Sequence, residues 1–367
     1  TFLKRISLQH GGESIPEAQP AVEAARGALA QGGFCLEKGK SIKDIARLAG
    51  VSTATVSRVI NQNGRFSKET EARVRRIIRE NEYVPNMSAK GLRTSRTCVV
   101  GIIVPDITNP HFSSLVLKLE INLFQRGYSC LICNTNESEK LERKHIQSLS
   151  AQNVSAIVLI SGTRNYSELD TLPVIYVDRP SRSQKNSGVI IESDNEQGGY
   201  LATKELLDAG CRRIVILKCL GNDANQLARY TGFQRALAEY GLHEQEDVSV
   251  NLPEVSIENA RAAIAQLLAR KVPFDGIMCT TDTIAAGAII ALREHNLHVP
   301  KDVLLTGFDD SQLAAACGPG ITSVHQDVSK MAELATTLLL EMICKKPLPK
   351  NYYQLPVFLV KRASTQR

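Results

Sequence analysis

The sequence predicts a small all-α head of three helices followed by a two-lobed α/β body of doubly wound parallel sheets. Three observations predict it. The stretch SIKDIARLAGVSTATVSRVIN, residues 41 to 61, carries two short apolar helical periods interrupted by one glycine. From Thr97 onward the pattern changes to buried-strand runs alternating with amphipathic segments. Charge divides the same way: residues 41 to 96 hold 12 Lys and Arg against 5 Asp and Glu, a net +7, and the rest of the chain sums to −1. A basic module on a near-neutral body is the electrostatic footprint of nucleic-acid binding.

With 367 residues, 43% hydrophobic and 22% charged, the chain is long enough for two or three domains and a sizeable core. The longest apolar run, Ile284 to Leu292, stops well short of the roughly 18 residues a spanning helix needs, so no membrane partner is expected. The opening TFLKRISLQHGGES lacks an apolar centre followed by a small-residue cleavage site, and a cytoplasmic location is expected. Nine cysteines, an odd number, lie mostly in apolar runs such as TCVVGIIV, YSCLICNT and DGIMCTT, as buried free thiols do. Cys130 and Cys133 have CxxC spacing, but on a strand an odd offset sends them to opposite faces. No metal site is expected.

In chain order, residues 1–40 read as a loose extension with no assigned function. Residues 41–84 read as a helix-turn-helix domain. Ser41 with Asp44 forms a capping box, Ile42, Ile45, Ala46 and Ala49 make one face, and Gly50 supplies the left-handed stop. Ser52 caps a second helix with Val56, Val59 and Ile60 inward. Ser67 opens a third with Glu69 and Glu71 early and Val74, Ile77 and Ile78 inward. Helices this short cannot stand alone. The first braces the second, whose remaining face of Thr53, Ala54, Ser57, Arg58 and Asn61 is small or hydrogen-bonding, as entry into a major groove about 12 Å wide requires.

Residues 85–96 form a linker, and 97–367 the body. Its strand runs are TCVVGIIV, YSCLICNT, AIVLISG and VIYVDR, then RIVILKC, DVSVNL, GIMCTT and DVLLTGF. Two such series predict two lobes with ligands at the carboxyl ends of the strands. The expected N-lobe is about 97–193 with 327–353, and the C-lobe about 194–326 with 354–367.

The run KDIARLAGVSTATVSRVIN, then YVPNMSAKGLRTSRT, VGIIVPDITNPHF, VIYVDRP, the AR..GF of Ala228 to Phe233, and GFDD resembles the lactose and galactose repressor (LacI/GalR) family of bacterial regulators. The similarity runs from about Ser41 to Thr365. It implies a periplasmic-binding-protein-like body, base-reading positions at Thr53, Ala54 and Arg58, and phosphate contacts from Ser52, Ser57 and Asn61. Arg58 is the strongest reader, because a guanidinium donates two hydrogen bonds to guanine O6 and N7. In NMSAKGLR the resemblance implies a hinge helix that folds on DNA, with Leu92 wedged into the minor groove beside Ala89 and Lys90. Gly91 departs from the commoner Ser and lowers helix propensity.

For the body the resemblance implies an effector pocket of His111, Phe112, Asp178, Arg179, Arg229, Asp282 and Gln326. Carboxylates and guanidinia suit vicinal hydroxyls, and Phe112 can cover an apolar ring face. Thr281 stands where Asn is usual. Because Arg179, Arg229 and His111 outweigh Asp178 and Asp282, the expected effector is a sugar or sugar derivative, with an acidic group allowed.

No catalytic set is present: no P-loop, no GxGxxG after the first strand, no GxSxG elbow, and no partner carboxylate for His295 and His298. No cofactor is expected. The sequence therefore predicts a homodimeric transcriptional repressor that binds a palindromic double-stranded DNA operator under control of a small molecule. The alternative is a sugar-binding protein of the periplasmic type without DNA function, which the basic head opposes.

Overall fold

The computed structural model describes residues 40–83, 97–161, 166, 169, 171–179, 188–221 and 224–366. The expected N-terminal extension up to residue 39, and the hinge with Ala89, Lys90 and Leu92, lie outside them. The chain divides into two compact units between Asn86 and Met87.

The first unit contains helices α1 (Ile42–Ala49), α2 (Thr53–Asn61) and α3 (Lys68–Glu80). Ser41 and Asp44 make the reciprocal capping box, and Gly50 ends α1 at φ 64°, a conformation glycine adopts without steric cost. Ser52 and Ser67 cap the next two helices by accepting from the amides of Thr55 and Thr70. Ile45, Ala46, Ala49, Val56, Val59, Val74 and Ile77 form the core, with Ile42, Ile60 and Ile78 partly buried around it. Tertiary packing of these faces, rather than propensity, holds such short helices.

The second unit has two six-stranded sheets. The first has the order β11-β5-β4-β3-β1-β2, from β1 (Val99–Val104), β2 (Ser129–Asn134), β3 (Ala156–Ser161), β4 (Val174–Arg179), β5 (Val189–Ser193) and β11 (Tyr352–Leu355), and every pairing is parallel. Helices α4 (Pro110–Gln125) and α11 (Val328–Ile343) cover one face, where Leu115, Leu119, Ala335 and Leu339 pack on Ile102, Val158 and Val177. Helix α5 (Glu139–Ala151) covers the other through Ile146 and Leu149, against Ile103, Ile157 and Leu159. Successive strand residues thus feed opposite cores, which is why the runs are apolar throughout. Cys130 and Cys133 follow this alternation, each packing on a different cluster, and the cysteines among the described residues are free.

The second sheet has the order β12-β10-β9-β8-β6-β7, from β6 (Ile214–Lys218), β7 (Ser249–Asn251), β8 (Gly276–Cys279), β9 (Leu304–Asp309), β10 (Thr322–His325) and β12 (Phe358–Val360). Helices α8 (Ile257–Ala269) and α9 (Asp282–Glu294) pack on one face, and α6 (Asn195–Asp208) and α7 (Ala224–Glu239) on the other. The short α10 (Gln312–Ala316) follows β9.

One expectation changes here, because β12 is antiparallel to β10 and the second sheet is mixed. The chain leaves the first sheet at the carboxyl end of β11 and reaches the second two residues later. A parallel partner would need a crossover of about a dozen residues. Altogether three segments carry the chain between lobes: Asp194, Gln326–Asp327 and Pro356–Val357.

Candidate functional site

The carboxyl ends of the two sheets face a narrow cleft lined by Asn109, His111, Phe112, Asp178, Arg179, Asn225, Gln226, Arg229, Thr281 and Asp309. Asn109 caps α4 and Pro110 fixes its first turn, which aims His111 and Phe112 inward. Asp178 and Arg179 close β4, and Asp309 closes β9. Both aspartates take positive φ, 70° and 102°, a region uncommon for residues other than glycine.

Arg229 reaches the cleft because α6 and α7 lie backbone to backbone. A Cβ on Gly199 would stand 2.0 Å from the Arg229 oxygen, and one on Gly232 2.0 Å from the Glu196 oxygen. The guanidinium donates to Asn195 Oδ1 at 2.8 Å and to Thr280 O at 2.7 Å, stands 3.6 Å from Asp309 Oδ1, and stacks 3.7 Å over the Phe308 ring. It is 4% exposed. A charge buried this far is stable only with such partners.

In the first lobe His111 Nε2 and Asp178 Oδ1 are 3.3 Å apart, both buried. Burial disfavours the imidazolium, but the Asp178 and Asp309 charges outweigh it and raise the His111 pKa. For Asp178 burial is likewise outweighed, by His111, Arg229 and Arg179, and its pKa is lowered. At Asp309 burial prevails over the His111 and Arg229 charges, and its pKa is raised. Arg179 stacks over Phe112 at 4.9 Å and donates to Glu137 at 2.8 Å.

Of the seven predicted pocket residues, the cleft brings together His111, Phe112, Asp178, Arg179 and Arg229. Asp282 and Gln326 fall outside its lining. The Asp282 carboxylate turns into the second lobe, accepting from Ser311 N, Ser311 Oγ and Ser323 Oγ at 2.7, 3.0 and 2.6 Å. Gln326 lies behind Asp309 and donates to it at 2.8 Å. Thr281, standing where Asn is usual, lines the cleft, although its hydroxyl caps α9. Asp309, Asn225, Gln226 and Asn109 were missed. Asp309 had a readable sign, since it follows an apolar run at the point where such strands present ligands-facing residues. The expected positive excess also disappears, because Glu137 takes Arg179 and Asp309 faces Arg229.

In the head, α2 turns Val56 and Val59 into the core and leaves Ala54 and Arg58 exposed, Ser52 exposed at the cap, and Thr53 and Ser57 partly so. The Arg58 stem lies against Gly64, where a Cβ would stand 3.1 Å from its Cδ. The Asn61 side chain lies outside the described set.

A basic three-helix head with an outward polar helix, on the same chain as a two-lobed polar cleft, defines a ligand-responsive DNA-binding regulator. Residues 41–86 match the model of bacterial regulatory proteins of the lacI family, and 203–365 match a periplasmic binding protein-like domain. The ribose operon repressor of Halalkalibacterium halodurans is 33% identical over 89% of this chain and 97% of its own length. The HTH-type transcriptional repressor PurR of Pasteurella multocida is 32% identical over 89% of this chain and 98% of its own length. Among solved structures, the CelR–cellobiose complex is 28% identical with a TM-score of 0.67, covering 89% of this chain and 99% of that one. The Lac repressor dimer bound to operator and the anti-inducer ONPF shares the fold, with a TM-score of 0.80 at 23% identity over 89% and 99%. The chain belongs to the LacI family and is a DNA-binding transcriptional repressor; its relatives are transcription regulators rather than enzymes.

Proposed function

We propose that this chain represses transcription in the cytoplasm as a homodimer on a palindromic operator, and that a neutral sugar held between the lobes sets its operator affinity. The observation that carries the effector class is the charge balance of the cleft. Asp309 offsets Arg229, Asp178 offsets His111, and Glu137 offsets Arg179. Such a site sets a carboxylate beside each basic group and offers many paired donors and acceptors, which suits hydroxyls better than a carboxylate or phosphate. The effector contacts are His111, Phe112, Asp178, Arg179 and Arg229, joined by Asn225 and Asp309. Asp282 and Gln326 support them from behind.

For DNA, Thr53, Ala54 and Arg58 read bases, Ser52, Ser57 and Asn61 position on phosphates, and Leu92 wedges the minor groove with Ala89 and Lys90 beside it. Pairing is supported by an apolar stripe at helical spacing, Leu117, Ile121 and Phe124 on α4, on the same face of the sheet as Ile132 of the edge strand β2, all exposed in one copy. Among the described residues no helix is long and apolar enough to cross a membrane. The test is a melting screen with D-ribose, cellobiose and purine bases, followed by gel shift of a genomic duplex with and without the hit. A sugar that raises the melting temperature and changes the shift supports the proposal. Selective stabilisation by a purine base, or by ribose 5-phosphate screened beside D-ribose, would overturn the neutral-sugar reading.

A further inference from the structure

Two of the three segments joining the lobes are tied to the cleft's charges. Asn195, just after the first crossover, is 3% exposed; its Nδ2 donates to Ser193 O at 3.0 Å and its Oδ1 accepts from Arg229 Nε at 2.8 Å. Gln326, in the second crossover, is 1% exposed and donates from Nε2 to Asp309 Oδ1 at 2.8 Å. Between them Arg229 Nη1 stands 3.6 Å from the same Asp309 oxygen. The result is an unbroken polar chain, Asn195–Arg229–Asp309–Gln326, from one crossover to the other through the two second-lobe charges of the cleft. The third crossover, Pro356–Val357, has no polar side chain; beside it, Asp194 N donates to Leu355 O at 2.9 Å.

We propose that Asn195 and Gln326 are positioning residues that couple the two crossovers through the Arg229–Asp309 pair. On the effector reading above, on which this consequence rests, a sugar that engages the pair acts on both hinge segments at once. The physical basis is that every group in the chain is at most 9% exposed, where the low local dielectric strengthens polar contacts, so moving one member biases the next. Gln326 has no second tie of this kind, since its Oε1 accepts no hydrogen bond from the described residues. Asp309 holds its place at φ 102°. A contiguous network ending on such groups is what energetic coupling between segments requires.

Hydrogen exchange on the full-length chain, with no solute added, tests this. Gln326→Met keeps the side-chain length and removes the donor, and should speed exchange of the Gln197 and Gly198 amides at the first crossover about two- to fivefold. Asn195→Ala should do the same for Lys330 and Met331 beyond the second. Asn195→Asp keeps the acceptor for Arg229 and should leave Lys330 and Met331 at the parent rate. His325→Gln is the local control: His325 Nδ1 contacts Asp310 at 2.8 Å rather than Asp309, so its effect should stop at the second crossover. Should Gln326→Met fail to fold, seen as lost protection in β8, the Asn195 variants decide alone. The proposal is overturned if each effect stays in its own crossover, if Asn195→Ala and Asn195→Asp behave alike, or if His325→Gln reaches α6 as strongly. Coupled exchange with no sugar binding keeps the relay and removes the sugar reading; sugar binding with independent exchange does the reverse.

Discussion

Asn225 Nδ2 donates to the main-chain oxygen of Asp178 at 2.8 Å, a bond that crosses the cleft from α7 to β4. It is a direct link between the lobes, made by a residue that also lines the site. Asn225→Ala removes a neutral buried hydrogen bond, worth about 1 kcal/mol net. Its loss should weaken sugar binding about fivefold, because the lobes are then held together less firmly around the sugar. Calorimetry with the sugar found in the melting screen checks this, and an unchanged affinity would remove Asn225 from the site.

Gly199→Ala and Gly232→Ala should each destabilise the body by at least about 3 kcal/mol, because a methyl placed 2.0 Å from a backbone oxygen can only be admitted by separating α6 from α7. The same separation carries Arg229 away from Asn195. Urea denaturation reads the first effect. A normal midpoint in either variant would show that the two helices are not fixed by glycine contact.

These glycines also show what the sequence revealed and what it withheld. The head was legible because its signals are local: Ser41, Gly50, Ser52 and Ser67 are caps acting within a few residues, and the apolar period selects Val56, Val59 and Val74 directly. The central strands were legible for a related reason, being apolar on both faces. Strands β5, β10, β11 and β12 were not among the expected runs, since each has only three to five residues and too little pattern to read. Five cleft residues followed from the family resemblance. That Asp282 and Gln326 stand outside the cleft lining was not readable, because the direction of a side chain is a tertiary property. Asp282 begins α9 beside the cleft, yet three donors from Ser311 and Ser323 turn it away. Nothing local distinguishes it from Asp309.

The buried Asp282 makes stability depend on pH. Burial, with the nearby Asp309 charge adding to it, pushes its pKa up to about 7 despite the serine hydrogen bonds. Between the ordinary carboxylate value of 3.8 and about 7 the folded protein keeps a proton that the unfolded chain releases. Its contribution to stability therefore falls as pH rises through that window, by up to about 4 kcal/mol in all. Asp282→Asn should remove this slope while still accepting from Ser311 N and donating to Ser323 Oγ. Subtracting the variant's stability curve from the parent's between pH 4 and 7.5 isolates the effect from that of His111, whose raised pKa gives a loss at higher pH. A flat difference curve would mean that Asp282 is ionised throughout.

Arg58 decides whether α2 reads sequence or only holds the phosphate backbone. It is exposed on the helix face opposite Val56 and Val59, and its stem is laid against Gly64, so part of its rotamer freedom is already lost before DNA arrives. A side chain directed in this way loses less entropy on binding than a free arginine, which favours a fixed bidentate contact with guanine over a roaming phosphate contact. Arg58→Ala should cost about 1 to 3 kcal/mol on the best operator and relax preference at one base pair in each half-site, with the salt dependence of binding nearly unchanged. Arg58→Lys should restore little of the preference, because an ammonium cannot donate in a planar pair. Gly64→Ala tests the directing contact, since φ 106° is strained for alanine and the added methyl pushes on the arginine stem. It should weaken the same base preference without removing the charge. A phosphate role predicts something different for Arg58→Ala: a uniform loss across all sequences and a salt slope reduced by about 0.9 for each head. Binding-site selection at two salt concentrations separates the two outcomes.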